Sequence, residues 1–144
     1  MKVTIKKLKP DNYDAIIHVW VLAKLHYTPT GRDSRKNLTK QIKIDHDLFF
    51  GAFVGTELVG VTFGSYDGRR GIINRLAVIP AFRRKGIAGK LIARCEKALR
   101  ARGAIVITTL IDLPNKGSVS LFKKMGYISH ESILYLSKRD GPHC

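Results

Sequence analysis

Ile72-Ile-Asn-Arg-Leu-Ala-Val-Ile-Pro80-Ala-Phe-Arg-Arg-Lys-Gly86-Ile-Ala-Gly89-Lys-Leu-Ile92 is the stretch from which the rest of the chain is read. It opens as an apolar strand, halts at Pro80, turns through a basic segment punctuated by glycine, and resumes with helical spacing. A strand passing through a glycine loop into a helix start is a place for phosphate. Free backbone N–H groups and the positive end of the helix dipole converge there. Gly86, Ala88 and Gly89 leave the main chain approachable, and Arg83, Arg84, Lys85 and Lys90 supply charge-assisted contacts around it. The segment is not a P-loop, because Leu91 follows Lys90 where a hydroxyl would hold magnesium. It also lacks the G-x-G-x-x-G of dinucleotide sites.

Toward the N-terminus, Leu48–Val54 and Leu58–Ser65 read as strands joined at Gly55-Thr56 in a hairpin. The turn Tyr66–Gly71 then leads into the strand Ile72–Val78, completing a three-stranded antiparallel meander. Before it lie a short strand over residues 3–8 and a helix opened by Pro10-Asp11, with Asp11 as N-cap. That helix buries Tyr13, Ile16, Ile17, Trp20 and Val21. The polar loop 26–37 follows, and Asp33 or Ser34 caps a second helix carrying Leu38, Ile42 and Ile44. Tyr27, Arg32 and Asp33 are candidate substrate contacts in this loop, which also serves as a plain helix–helix connection.

Toward the C-terminus, Ile87, Leu91, Ile92, Cys95, Ala98 and Leu99 share one helical face, and Gly103 ends the helix. Ala104–Leu110 is almost wholly apolar and reads as a buried strand, parallel to Ile72–Val78 through a right-handed crossover. Asn115 starts a last helix that stops at Gly126, and Tyr127–Leu136 reads as a final strand.

The 144 residues, 44% hydrophobic and 26% charged, suit a single globular domain. No apolar run approaches the roughly 18 residues of a membrane span, and the N-terminal residues do not resemble a signal peptide. Cys95 and Cys144 form neither a disulfide framework nor a metal spacing, so a reduced cytoplasmic setting is expected. The net charge of +15 attracts polyanions, whether nucleotide cofactors, nucleic acid or acidic surfaces, and equally describes a solvated basic surface. Zinc spacing, RNP-type aromatics and a recognition helix are all lacking, which argues against a dedicated nucleic-acid-binding domain.

Arg83-x-x-Gly86-x-Ala88, preceded by Leu76-Ala77-Val78-x-Pro80, resembles the acyl-CoA motif of the GNAT superfamily of N-acetyltransferases. Asn115-x-x-Ser118-x-x-Leu121-Phe122-x-x-x-Gly126-Tyr127 resembles the second signature of the same family. The resemblance covers essentially the whole chain and implies an α/β (α+β) fold. Its mixed, mostly antiparallel sheet would have about six strands with a splayed parallel pair, flanked by about four helices. It implies one acetyltransferase domain over residues 1–144, using acetyl-CoA and no metal. Leu76, Ala77 and Val78 would hold the pantetheine arm in the manner of an added strand. Arg83, Arg84, Lys85, Gly86, Ile87, Ala88, Gly89 and Lys90 would surround the pyrophosphate, and a main-chain N–H would polarise the thioester carbonyl. Asn115 would touch the cofactor, or act only as a helix N-cap.

The acetyl group would pass directly to an amine: a protein N-terminus, a lysine or a small-molecule amine. The acceptor would lie between the Tyr27–Asp33 loop and the turn at Tyr66-Asp67. An acyl-CoA-binding sensor is the alternative. A monomer and a homodimer both remain open, as does weak association with nucleic acid or ribosomes through the basic surface.

The sequence departs from the family at the proton-transfer groups. Phe122 stands where a tyrosine acid is common, and Ile72 and Leu110 stand where a glutamate base is common. Three residues remain as catalytic candidates: Asn74, through a held water; Asp67, as a base or simply an Asp-Gly turn residue; and Tyr127, five residues beyond the usual acid. Proximity and oxyanion binding alone are the fourth option, since general acid help adds only about 10²–10⁴-fold.

Overall fold

The computed structural model describes residues 1–144. The elements run β1 (Thr4–Lys7), α1 (Tyr13–Leu22), α2 (Arg35–Ile44), β2 (Phe49–Val54), β3 (Glu57–Tyr66), β4 (Arg70–Val78), α3 (Ile87–Arg102), β5 (Val106–Thr109) and α4 (Lys116–Lys124). One sheet takes the order β1-β2-β3-β4-β5, antiparallel from β1 to β4, with β5 parallel to β4. The meander, the crossover and the four helices are those expected, on an α+β architecture.

Two layers of helix cover the sheet, and alternation along β3 assigns the faces. Gly60 and Gly64 face α3, where an ideal Cβ would lie 3.1 Å from Leu91 Cδ1 and 2.9 Å from Cys95 Sγ. Gly71 on β4 does the same, 2.9 Å from Leu99 Cδ1. Removing side chains from these sheet positions lets α3 lie directly on the strands, burying Ile87, Leu91, Ile92, Cys95 and Leu99. On the opposite face Phe63 meets α1 through Trp20, with ring centroids 5.6 Å apart, and meets Phe49 at 4.4 Å. Ile16, Val19, Leu38 and Ile42 complete this layer.

Several helix and strand limits differ from the sequence reading for local reasons. Asp11 does not cap α1. A 3₁₀ turn over Pro10–Asn12 comes first, and Asn12 Oδ1 accepts the Lys9 N–H at 2.8 Å. Of the two candidate caps for α2, Ser34 is the one used; it accepts the Asn37 N–H at 3.2 Å. The expected buried strand over Ala104–Leu110 is shorter and half exposed: Ile105 is 94% and Val106 47% accessible. It lies at the sheet edge, where apolar sequence cannot supply cover by itself.

The sixth strand is absent. Tyr127–Leu136 joins no ladder, and Ile128, Ile133, Leu134, Tyr135 and Leu136 are all exposed. The polar run Ser129-His130-Glu131-Ser132 interrupts the apolar pattern. The chain then crosses to the Gly31–Arg32 loop instead of returning along β5, and a side chain at Gly31 would run into the His143 carbonyl. Strand propensity without an edge to pair with yields no strand. Amide hydrogen exchange of the native protein should therefore show residues 128–136 exchanging orders of magnitude faster than Phe49–Val54. Equal protection in the two segments would contradict this architecture.

Candidate active site

The parallel pairing of β4 with β5 lasts only from Arg70–Val106 to Ile73–Thr109. There the Thr109 hydroxyl donates to the Ile73 carbonyl at 2.8 Å and caps the ladder. β4 runs on to Val78 with β3 as its only partner, so its other edge is open. At the same place β4 bulges. The β3 register jumps from Val61↔Ala77 to Phe63↔Asn74, leaving Arg75 and Leu76 opposite Thr62 alone. Arg75 takes φ 57°, a left-handed conformation that a long side chain rarely adopts. The buried Thr62 hydroxyl donates to the Asn74 carbonyl at 3.2 Å, giving the carbonyl beside the bulge a partner.

Beyond Val78 the chain enters the basic loop. Arg83 Nε donates to the Val78 carbonyl at 3.0 Å, so this side chain staples the loop to the strand end. Arg84 and Gly86 both have positive φ, 62° and 79°, and Gly86 is the residue from which α3 starts. The first turn of α3 contains no carboxylate to compete for its N–H groups. An ideal Cβ at Gly86 or Gly89 would meet nothing within 4 Å, so both glycines border open space. Arg84, Lys85 and Lys90 are exposed around it, while Ile87 is buried as the helix anchor and Ala88 is partly buried. Leu76 is half-buried, and Ala77 and Val78 are buried at the open edge.

Asn115 caps α4, its Oδ1 accepting the Ser118 N–H at 3.1 Å. The amide nitrogen is not used by this cap. An open cavity of about 520 Å³ runs along α4, lined by Leu113, Pro114, Asn115, Val119, Ser120 and Lys123 among others.

The proton-transfer candidates do not lie together. Asn74 donates from Nδ2 to the Ser65 hydroxyl at 3.3 Å, on the same sheet face as the half-exposed Ile72, beside the bulge. Asp67 lies before the other end of β4, where its Oδ1 accepts the Arg69 and Arg70 N–H groups at 2.8 and 2.7 Å. These two backbone donors hold its carboxyl below the usual carboxylate range. Tyr127 donates its hydroxyl to Glu96 Oε2 on α3 at 2.7 Å, and its ring meets Phe122 edge-on at 4.9 Å. Burial, then the Glu96 carboxylate, raise the Tyr127 pKa, so the hydroxyl stays protonated. Phe122 itself is buried in the core. Cys95 lies on the sheet-facing side of α3, where burial pushes its thiol up to about 12.

The loop between α1 and α2 is tied to the bulge by a residue that the sequence reading passed over. The Arg75 guanidinium lies 4.1 Å from the Trp20 ring centroid, donates from Nη1 to the His26 carbonyl at 2.9 Å, and places Nη2 3.5 Å from Asp33 Oδ2. Burial lowers its pKa, partly offset by Asp33. Asp33 is itself buried and accepts from Thr28 N and Oγ1 at 2.9 and 3.2 Å. Tyr27 is half-buried against Trp20, with centroids 6.0 Å apart, and Arg32 is exposed. The one charged residue in the largely apolar run Ile72–Ile79 was the available signal for Arg75. Nothing local marked Ser65 or Thr62.

A sequence model described as the acetyltransferase (GNAT) family matches residues 13–127. An acetyltransferase of Sodalis glossinidius, SG1711, is 35% identical over 94% of both chains. Among solved structures, the PaiA N-acetyltransferase of Thermoplasma acidophilum in complex with coenzyme A superposes with a TM-score of 0.80 at 20% identity, covering 92% of this chain and 94% of that one. AAC(6')-Iy, bound to the bisubstrate analogue CoA-S-monomethyl-acetylneamine, superposes with a TM-score of 0.77 at 17% identity over 96% and 99%. The chain thus belongs to the GNAT family of acetyltransferases. No helix is long and apolar enough to cross a membrane.

The Tyr127–Glu96 bond supplies a test of the acid assignment. Tyr127→Phe should cost about 1 kcal/mol in urea unfolding and change turnover less than about threefold, whereas loss of a general acid costs about 10²–10⁴-fold. A loss in that larger range would place the hydroxyl in the reaction.

Proposed function

We propose that the chain moves the acetyl group of acetyl-CoA directly to an amine. The observation that carries this reading is the junction of two openings. The unpaired β4 edge beyond Ile73 leads into an α3 N-terminus whose glycines face free space. An extended amide-bearing arm suits the first, and a pyrophosphate suits the second. Leu76, Ala77 and Val78 would take the pantetheine through their main chain. Arg84, Lys85, Gly86, Ile87, Ala88, Gly89 and Lys90 would hold the pyrophosphate, with Arg83 keeping the loop seated from Val78. Asn115 would reach the cofactor with the amide nitrogen that its cap leaves over. Bound there, acetyl-CoA supplies an acyl group already activated as a thioester.

The protein's own part is placement of the amine and removal of its proton. Asn74 and Ser65 form the polar pair nearest the bulge, and they would hold the water that takes this proton. Asp67, at the far end of the strand and acidified by two amides, is less suited to that role. The N-acetyltransferase and bisubstrate-analogue descriptions of the two structural neighbours accord with an amine acceptor. Protein N-termini, lysines and small amines all fit this chemistry.

Isothermal titration with CoA tests the cofactor half. Wild-type protein should bind, and Gly89→Leu should weaken binding by at least about a hundredfold, because the added side chain occupies the phosphate space. The thermal midpoint should not fall, since the new Cβ touches nothing and leucine favours the helix more than glycine does. Unaltered affinity would remove the loop from the site. Binding without thiol release across an amine panel would indicate a sensor instead of an enzyme.

A further inference from the structure

Arg75 is given no part in holding a phosphate or a pantetheine arm, yet it is one of three non-glycine residues with positive φ. Its left-handed φ of 57° sits in the β4 bulge, one residue before Leu76. From there the guanidinium lies on the face of Trp20, the chain's single tryptophan, at 4.1 Å. Its arms reach the two ends of the α1–α2 loop: Nη1 donates to the His26 carbonyl at 2.9 Å, and Nη2 lies 3.5 Å from Asp33 Oδ2. The same Asp33 oxygen gathers Thr28 N and Oγ1, and the Asp33 carbonyl accepts the Tyr13 hydroxyl at 2.7 Å. One planar cation thus joins the loop to β4, while Tyr13 and Asn37 hold it to α1 and α2. Nη2 therefore meets Asp33 as an ion pair longer than a hydrogen bond, and Nε makes no bond to another side chain or to the backbone.

We propose that Arg75 is a positioning residue for the acceptor. It latches the His26–Asp33 loop to the β4 bulge, and through that loop it sets how tightly the amine substrate is held beside Leu76. The latch rests on the acetyl-transfer reading given above. It acts through Asp33, whose buried carboxylate is spent on Thr28 and on the latch and is not free to hold a substrate ammonium. A guanidinium suits the task because it stacks and reaches two acceptors at once, which an ammonium cannot do.

The test uses the full chain, acetyl-CoA, and four amine probes: spermidine, lysine amide, and alanyl and glutamyl tetrapeptides, followed by thiol release. Arg75→Asn keeps a residue that tolerates left-handed backbone, so the bulge is retained while the guanidinium is lost. The expected result is an acceptor KM raised about tenfold with kcat within about threefold. CoA affinity should be unchanged, and Trp20 fluorescence should shift as the stacked cation leaves. Asp33→Asn should raise the acceptor KM similarly, and the double variant should add little to either single change. Arg75→Lys should restore less than half of the loss.

A uniform fall in kcat, CoA affinity and thermal midpoint would make Arg75 merely structural and overturn the proposal. An unchanged acceptor KM, or fully additive effects of the two substitutions, would also overturn it. Wild-type protein that binds acetyl-CoA but releases no thiol with any probe would overturn the transfer reading itself, and the latch with it.

Discussion

The parting of β4 from β5 after Ile73 and Thr109 is the constraint on which the rest of this molecule depends. Two strands fed by a helical crossover would ordinarily remain paired, since every unpaired backbone group inside a protein has a cost. Here they separate at a defined point because two threonines accept the consequences. Thr109 donates to the last ladder carbonyl on one side, and Thr62 donates to the Asn74 carbonyl on the other. The bulge at Arg75 and Leu76 turns the strand locally without ending its pairing with β3. What results is an open strand edge between two strands of one sheet, with unpaired backbone groups that an uninterrupted ladder would not leave.

The helix that follows is placed by absence of bulk. Gly60, Gly64 and Gly71 admit α3 onto the sheet, and Cys95, Leu91 and Leu99 fill the space they leave. This close contact fixes where the α3 N-terminus points, and the Arg83–Val78 bond fixes the loop that enters it. The loop and the α3 N-terminus are therefore held by packing and hydrogen bonds to the backbone. The loop between α1 and α2 is held differently, through a polar cluster of Trp20, Thr28, Asp33 and Arg75 in which Trp20 Nε1 and Arg75 Nε bond to no other protein group. Buried donors without partners cost about 1–3 kcal/mol each in a rigid structure. Such local strain and incomplete pairing are commoner where a protein must bind or adjust than where it must only persist.

Much of this was legible from residues alone. The loop Arg83–Lys90, the crossover after it and the hairpin before it rest on local signals: glycine and proline punctuation, helical spacing and β-branched runs. The segments Leu76–Val78 and Gly86–Gly89, proposed to hold the cofactor, lie within that local grammar. What did not show is non-local. Asp33 reads in sequence as an exposed loop carboxylate, and only contact with an arginine more than forty residues away makes it a buried structural acid. Tyr127 reads as a spare hydroxyl until α4 lays it against Glu96 on α3. Tyr127–Leu136 has strand-forming residues, but whether a strand forms depends on an edge elsewhere that it does not meet.

The sequence by itself determined the order of elements from β1 to α4, the family and the glycine turn at the start of α3, because each is carried by patterns among residues close together in the chain. The tertiary structure alone decided where the sheet opens, which threonines cap the opening and how the loop between α1 and α2 is tied to it. Those depend on the bonds from Thr62 to the Asn74 carbonyl and from Thr109 to the Ile73 carbonyl, and on the contacts of Arg75 with Trp20 and Asp33. No periodicity or local spacing encodes such contacts. They exist only once α1 and the β3–β4–β5 ladder have packed into one core.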